Sequence, residues 1–202
     1  SGNNGSIDLT ISGGTNNYTY SWTGPNGFTS SEADLNNLIA GEYQVIVNDS
    51  NGCTITNTYT LNQPSAISVS ETFSDFNGFG VSCNGSNNGA INIDVTGGYL
   101  DNGSNYTFSW TGPNGFTSSN EDLSSLLAGT YVLTVTDDND CIYNESYVVT
   151  QPEEIVINET ISDYNGFQVS VFGASDGEIS LDISGGTEQY TYQWSTVDGN
   201  GL

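Results

Sequence analysis

The chain has 202 residues, of which 35% are hydrophobic and 11% are aromatic, enough apolar material for packed cores. It contains 24 Asp and Glu residues and no Lys, Arg or His, so its formal net charge is -24. Nucleic acids and anionic membranes are bound through cationic side chains, so both are excluded as direct partners. Ser-His nucleophiles, Schiff bases and imidazole metal ligands are excluded as well, which leaves paired carboxylates as the remaining catalytic chemistry. No apolar run reaches the roughly 18 residues of a membrane span, so we expect no direct membrane insertion.

The main feature of the sequence is an internal repeat. The string TGPNGFTSS at residues 23–31 returns unchanged at residues 111–119, an offset of 88. Residues 71–82, ETFSDFNGFGVS, return with the same offset as ETISDYNGFQVS at residues 159–170. A period of this length predicts a tandem array of modules, each of which is one folded unit.

One module is about 84 to 88 residues long, so the chain covers one complete module and parts of two others. One Trp marks the same position in each copy, at Trp22, Trp110 and Trp194. The second copy is four residues longer between Gly98 and Tyr106, which predicts an inserted surface loop at residues 99–105. We expect a first module without its N-terminal part at 1–64, a complete module at 65–152, and the N-terminal part of a third at 153–202.

Within the complete module, short β-rich runs alternate with Asn-Gly turn signals. Ile91, Ile93 and Val95 alternate with polar residues, which predicts one core face and one wetter face. The predicted strands are residues 66–71, 80–83, 90–95, 106–111, 129–136 and 141–150. This spacing predicts an all-β fold of tandem Ig-like antiparallel β-sandwich modules.

One stretch is helix-like. Residues 120–129, NEDLSSLLAG, place leucines at helical spacing and end on a glycine, which predicts a turn or two of helix. The aromatic residues around it are expected in the core. Tyr43 and Tyr131 stand where a tyrosine corner would lie, and Trp22, Trp110 and Trp194 occupy the position of the core Trp of Ig-like folds.

These motifs resemble a known family. GGxxxYTYSW, the run DLxxLxAGxYxVxVxDxxGC and the closing Gln-Pro are similar to the SprB-type repeat of very large Bacteroidetes surface proteins, including gliding-motility adhesins. The matching residues are Gly13, Gly14, 18–22, Asp34, Leu35, Leu38, Ala40, Gly41, Tyr43, Val45, Val47, Asp49, Gly52 and Cys53. The second module repeats them from Gly97 to Cys141, with Asp140 in place of the last glycine.

The resemblance implies an extracellular protein at the cell surface, exported by the type IX route, whose repeats form an extended filament. In such an exported protein the three cysteines need an explanation. We predict a disulfide between Cys83 and Cys141 of one module, and for Cys53 a partner upstream of the segment. The alternative is that these are free buried thiols in a reducing compartment. Metal binding by them is disfavoured because the sequence has no CxxC pair.

Two acidic clusters are candidate calcium sites, since Ca²⁺ is bound by oxygen ligands. The first lies in the turn before the late cysteine and contains Asp137, Asp138 and Asp140. The second lies at the start of the third module and contains Glu159 and Asp163, with Glu71 and Asp75 at the equivalent positions of the second. The alternative for the first cluster is plain turn chemistry, which also favours Asp and Asn. For the second cluster, the alternative is a solvated linker.

Two functions remain open. The first is a stalk or spacer role in surface adhesion and gliding motility, in which the partners of each module are the neighbouring repeats. The second makes each module a weak, multivalent binder of polysaccharide or a solid surface. That alternative needs exposed aromatic residues, and the candidates are Phe28, Phe116 and Tyr99. We expect no enzyme, because the acids shared by the modules lie mostly in turns.

Overall fold

The structure, a computed structural model, describes residues 2–187 and 189–197. Within these residues it contains fifteen β-strands and no α-helix. The strands are β1 Gly5–Ile7, β2 Thr19–Thr23, β3 Thr29–Ser30, β4 Leu35–Leu38, β5 Gly41–Asn48, β6 Thr54–Leu61, β7 Ser68–Phe73, β8 Gly89–Thr96, β9 Thr107–Thr111, β10 Thr117–Ser118, β11 Leu123–Leu126, β12 Gly129–Thr136, β13 Ile142–Val149, β14 Val156–Ile161 and β15 Ile179–Ser184.

The chain folds as two compact units, Ser1–Ser65 and Ala66–Leu202. In the first unit, one sheet has the strand order β3-β2-β5-β6 and β1 pairs with β4 in a second, smaller sheet. All of these pairs are antiparallel. The core residues of this unit are Ile7, Trp22, Leu35, Leu38, Tyr43, Val45 and Val47.

The second unit contains a β-sandwich of two antiparallel sheets. A three-stranded sheet of order β11-β8-β7 faces a four-stranded sheet of order β10-β9-β12-β13. Their shared core consists of Val81, Ile91, Ile93, Trp110, Leu123, Leu126, Tyr131, Leu133, Val135, Tyr147 and Val149. The predicted all-β fold of Ig-like sandwich modules is confirmed.

The register of β12 shows how the sequence alternation becomes a core. Tyr131, Leu133 and Val135 are buried, whereas the residues between them point away from the core. Leu133 lies opposite Trp110 on β9. Because successive side chains of a strand alternate between its faces, this register places the apolar set of both strands on the inner face.

The predicted helix at residues 120–129 is wrong, because this segment contains strand β11. The strand pairs with β8, and its register shifts between Ser124 and Leu126. Ser125 adopts a positive φ of 57° within this bulge. The extra residue of a bulge lets Leu123 and Leu126 both face the core. A spacing of three residues therefore mimics a helical pattern here.

The predicted strand at residues 80–83 is also absent, and these residues form bends. Val81 is nevertheless fully buried, and its backbone N–H donates to the carbonyl oxygen of Thr150 at 3.1 Å. A Cβ on Gly80 would lie 2.8 Å from Val149. The segment therefore closes the end of the sandwich beside β13 without joining a sheet.

The tyrosine corner is present in both units. The hydroxyl of Tyr43 donates to the carbonyl of Ile39 at 3.0 Å, and the hydroxyl of Tyr131 donates to that of Leu127 at 3.0 Å. Trp22 and Trp110 are buried to 1% and 0% exposure, as expected for core residues. The placement of these four aromatic residues agrees with their expected core role.

Trp194 differs from the other two tryptophans. In the described part of the third copy, the strands are the hairpin β14–β15, and Trp194 is 49% exposed. Trp22 and Trp110 lie opposite Val45 on β5 and Leu133 on β12, and strands equivalent to these are absent from the described part of the third copy. The core role of Trp194 therefore stays a prediction.

Candidate functional site

The turn that precedes Cys141 is organised by one buried carboxylate. Oδ1 of Asp137 accepts the backbone N–H groups of Asn139 at 3.0 Å and Cys141 at 2.8 Å. Its Oδ2 accepts the backbone N–H of Tyr99 at 2.8 Å. These hydrogen bonds connect the turn to the start of the inserted loop. Asp137 is 5% exposed, so the connection is shielded from solvent.

The first unit repeats this arrangement. Oδ1 of Asp49 accepts the N–H groups of Asn51 at 2.9 Å and Cys53 at 2.8 Å, and Oδ2 accepts that of Thr15 at 3.1 Å. The same side chain therefore closes the same turn in both units. These carboxylates act as acceptors for their own backbone, which is the turn chemistry that the sequence allowed as an alternative.

Hydrogen bonding to the charged form sets the pKa values of these acids. Burial raises the pKa of Asp137, but the N–H groups of Tyr99, Cys141 and Asn139 lower it by more, so it lies below 3.8. The N–H groups of Cys53 and Thr15 lower the pKa of Asp49 in the same way. Both carboxylates are therefore ionised at neutral pH.

Asp138 holds the inserted loop at residues 99–105. Its Oδ2 accepts the backbone N–H of Asp101 at 2.7 Å and the hydroxyl of Ser104. The Ser104 hydroxyl and the Asp101 N–H lower the pKa of Asp138. The first unit, which lacks the insertion, has Ser50 at this position. The extra carboxylate is thus explained by the extra loop.

The acids predicted for calcium have different surroundings. In the described residues, 2–187 and 189–197, no group of three or more Asp, Glu, Cys or His side chains is arranged to hold a metal ion. Asp140 occupies a positive φ of 57° in the turn, and Asp163 accepts the N–H of Gly166 in another turn. Glu159 lies on β14 opposite Leu181. Calcium at these positions stays a prediction.

The aromatic candidates divide into two groups. Phe28 and Phe116 are half-buried and pack edge-on against Tyr43 and Tyr131, with ring centroids 5.4 and 5.3 Å apart. They stabilise the GPNGF turns against the core. Tyr99 is 41% exposed on the inserted loop and remains available to solvent.

The predicted disulfide between Cys83 and Cys141 is not formed, and all three cysteines are free and exposed. Asn84, next to Cys83, donates to the carbonyl oxygen of Pro152, beyond the C-terminal end of β13. Cys141 immediately precedes the other end of that strand. Eight residues of strand separate these ends by about 26 Å, whereas a disulfide needs Cα atoms within about 7 Å.

An open groove, which the sequence analysis did not single out, lies beside the turn that follows β7. Its volume is about 280 Å³, and its lining residues are Phe73, Ser74, Asp75, Gly78, Phe79, Gly80, Val148 and Thr150. The sequence signal for it is the repeated string at residues 71–82 and 159–170.

The fold and these sites define an all-β protein built from repeated sandwich modules. The family model described as SprB repeat matches three segments of the chain, residues 1–27, 81–115 and 169–199, which supports a SprB-type repeat. These segments include the GGxxxYTYSW motif of the first copy, while the run that ends at Cys53 lies outside them. SprB repeats belong to cell-surface proteins, which suggests that the chain is a repeat segment of a large surface adhesin.

Other comparisons add little. No curated protein matches the chain. A solved structure titled three N-terminal domains of the bacteriophage RB49 Highly Immunogenic Outer Capsid protein (Hoc) is similar at 13% identity with a TM-score of 0.42. The match covers 91% of this chain and 65% of that one. No helix in the described part of the chain is long and apolar enough to cross a membrane.

Proposed function

We propose that these modules form a stalk that spaces the adhesive part of a large surface protein away from the cell, in adhesion and in gliding motility. The observation that carries the proposal is the use of Asp49 and Asp137. In two modules the most strongly held carboxylate serves the module's own backbone and presents no ligand site. Such a unit contributes length and stiffness.

Charge supports the same role. The chain has a net charge of -24 and no cationic side chain, so like-charged modules repel one another. Repulsion between neighbouring modules favours an extended chain over a collapsed one. At physiological ionic strength, salt screens this repulsion between exposed charges that are more than about 8 to 10 Å apart. Extension is what a spacer at a cell surface requires.

The test uses the full-length surface protein. Residues 65–152 are deleted in one variant and replaced by an unrelated β-sandwich of the same length in a second. The deletion should shorten the displayed filament by one module, and the replacement should restore both its length and cell adhesion. Loss of adhesion in a replacement variant that is displayed normally would show that the module itself binds.

A second candidate function is weak multivalent binding to polysaccharide, and one observation favours it. Tyr99 is 41% exposed on a loop that Asp137 and Asp138 hold in place. An exposed aromatic ring on an ordered loop suits stacking against a sugar. Tyr99→Ala should then reduce retention on an immobilised polysaccharide, and a spacer would show no retention in either form.

A further inference from the structure

The groove beside β7 has a rigid polar frame. The Ser74 hydroxyl donates to the carbonyl of Gly80 at 2.6 Å and accepts the backbone N–H of Ala90 at 2.8 Å. The N–H of Gly80 donates to the Thr150 hydroxyl at 3.0 Å. Because these hydroxyls already hold the frame together, they contribute little to the binding of a ligand.

One carboxylate oxygen at the groove is left over. Oδ1 of Asp75 accepts the N–H of Gly78 at 2.6 Å, which fixes the side chain in the turn. Its Oδ2 has no hydrogen bond from any residue that the structure describes. Asp75 is also exposed, so this oxygen offers a single anionic acceptor at the edge of the groove.

The walls of the groove are apolar. Phe73 is 41% exposed and Val148 is 60% exposed, and both line the groove together with Phe79. The ring of Phe73 is steadied by Tyr147, with centroids 6.0 Å apart and an interplanar angle of 60°. The turn requires Ser74, Asp75 and Gly78 for its hydrogen bonds, but these bonds do not account for the exposed ring of Phe73.

These features select the ligand. Anions are repelled by Asp75 and by the net charge of -24, which attracts cations instead. An apolar stem that ends in one positive charge matches aromatic walls with one acceptor, because the stem packs on the rings and the charge reaches the carboxylate. The guanidinium group of arginine has five N–H donors and needs several acceptors, whereas this groove offers one. An amino sugar has hydroxyl groups that also need hydrogen-bond partners. A primary amine on an alkyl chain fits best.

We propose that this groove binds a lysine side chain of a basic partner protein. The ammonium group meets Oδ2 of Asp75, and the stem lies against Phe73, Phe79 and Val148. One such site is weak, and repetition along a tandem array raises its effect through avidity. This binding role goes beyond the proposed spacer role and is compatible with it, because a module can add length to a stalk and also bind a basic protein.

Part of the site recurs in the third copy. The hydroxyl of Ser162 donates to Gln168 at 2.7 Å and accepts the N–H of Glu178 at 2.9 Å, and Asp163 accepts the N–H of Gly166. Ile161 stands at the position of Phe73 and Phe167 at that of Phe79, whereas Val148 and Thr150 have no counterpart in the described part of the third copy. A weaker copy of the site is expected there.

The test is an NMR titration of the 202-residue chain with Nα-acetyl-lysine N-methylamide at 150 mM salt. The backbone amides of Gly78, Gly80 and Thr150 should shift with a dissociation constant of about millimolar order. Asp75→Asn, which keeps an acceptor for Gly78, should weaken binding by about fivefold, and so should Phe73→Ala. Asp94→Asn removes an equal charge from the outer face of β8 and should leave binding unchanged.

Control ligands separate the alternatives. The norleucine analogue lacks the ammonium group and should shift these amides much less. Equal shifts in wild type and Asp75→Asn, or equal weakening by Asp94→Asn, would overturn the proposal in favour of diffuse attraction. Larger shifts with glucosamine than with the lysine probe would assign the groove to an amino sugar instead. If the NMR spectrum of Phe73→Ala lacks the dispersion of a folded chain, Phe73→Leu replaces it, because leucine removes the aromatic ring and keeps an apolar side chain. None of these outcomes bears on the module-replacement test of the stalk.

Discussion

The carboxylate of Asp137 lies 2.8 Å from the backbone nitrogen of Tyr99 and thereby joins two turns that are 38 residues apart in sequence. In the first unit, Asp49 joins its turn to Thr15 in the same way. Like charges on neighbouring strands destabilise a sheet, and this chain has no cation to offset them. Carboxylates that accept N–H groups in turns avoid that cost.

Asp137→Asn should destabilise the second unit. Asn can still accept the N–H groups of Asn139 and Cys141, but its amide group then faces the N–H of Tyr99, where two donors meet. Thermal unfolding followed by circular dichroism should show a lower midpoint than in wild type. Asp94→Asn, an exposed matched control, should shift the midpoint much less.

This difference should depend on pH. The pKa of Asp137 is lowered in the folded protein, so its contribution is fully present above the ordinary value of 3.8 and is lost as the pH falls through the folded pKa. The stability gap between wild type and Asp137→Asn should therefore close below pH 3.8. Comparing two chains cancels the general effect of protonating the other acids. A gap that stays constant down to pH 2 would contradict this assignment.

The tyrosine corners should contribute equally in the two units. Tyr131→Phe removes the hydroxyl that donates to Leu127 and leaves a part-buried carbonyl without its partner, at a cost of about 1 kcal/mol. Tyr43→Phe makes the same change in the first unit. Urea unfolding of each variant measures the loss. A change below about 0.3 kcal/mol in both would show that the corner does not stabilise the fold.

The cysteines provide a direct test of the structure. The native chain, prepared without reductant, should contain three titratable thiols, because Cys53, Cys83 and Cys141 are free and exposed. Partial desolvation by neighbouring atoms and the charge of Asp137 raise the pKa of the Cys141 thiol, so alkylation near neutral pH should be slow there. A single titratable thiol would mean that Cys83 and Cys141 are bonded after all.

Salt should stabilise the chain. With a net charge of -24 and no cationic side chain, screening reduces repulsion between carboxylates. Raising NaCl from 10 to 300 mM should raise the unfolding midpoint. CaCl₂ at matched ionic strength tests the predicted calcium sites, because a specific site stabilises further by mass action. Equal unfolding midpoints in the two salts would contradict the predicted calcium sites in these turns.

Most of the fold can be read from the repeat and from alternation along strands. Tyr131, Leu133 and Val135 carry a period of two that predicts both a strand and its buried face. The corner tyrosines and the first two tryptophans were predictable for the same reason, since their positions recur at an offset of 88. The all-β class, the modules and the core follow from local patterns that each strand carries within its own residues.

Other features depend on which strand ends meet in space. The spacing of Leu123 and Leu126 fits a helix, but in the structure they lie on a strand, where the bulge at Ser125 places both on one face. Cys83 and Cys141 form a plausible pair in the repeat, yet they lie at opposite ends of β13.

The turn residues show the same division. Sequence alone determined that this protein is built from repeated all-β modules, carries a large negative charge and has no cationic side chain. Tertiary structure alone decided that the turn acids bind backbone, that Phe116 packs inward and that Phe73 lines a groove. The physical reason is that contacts between loops are set by the pairing of distant strands, which no local periodicity encodes.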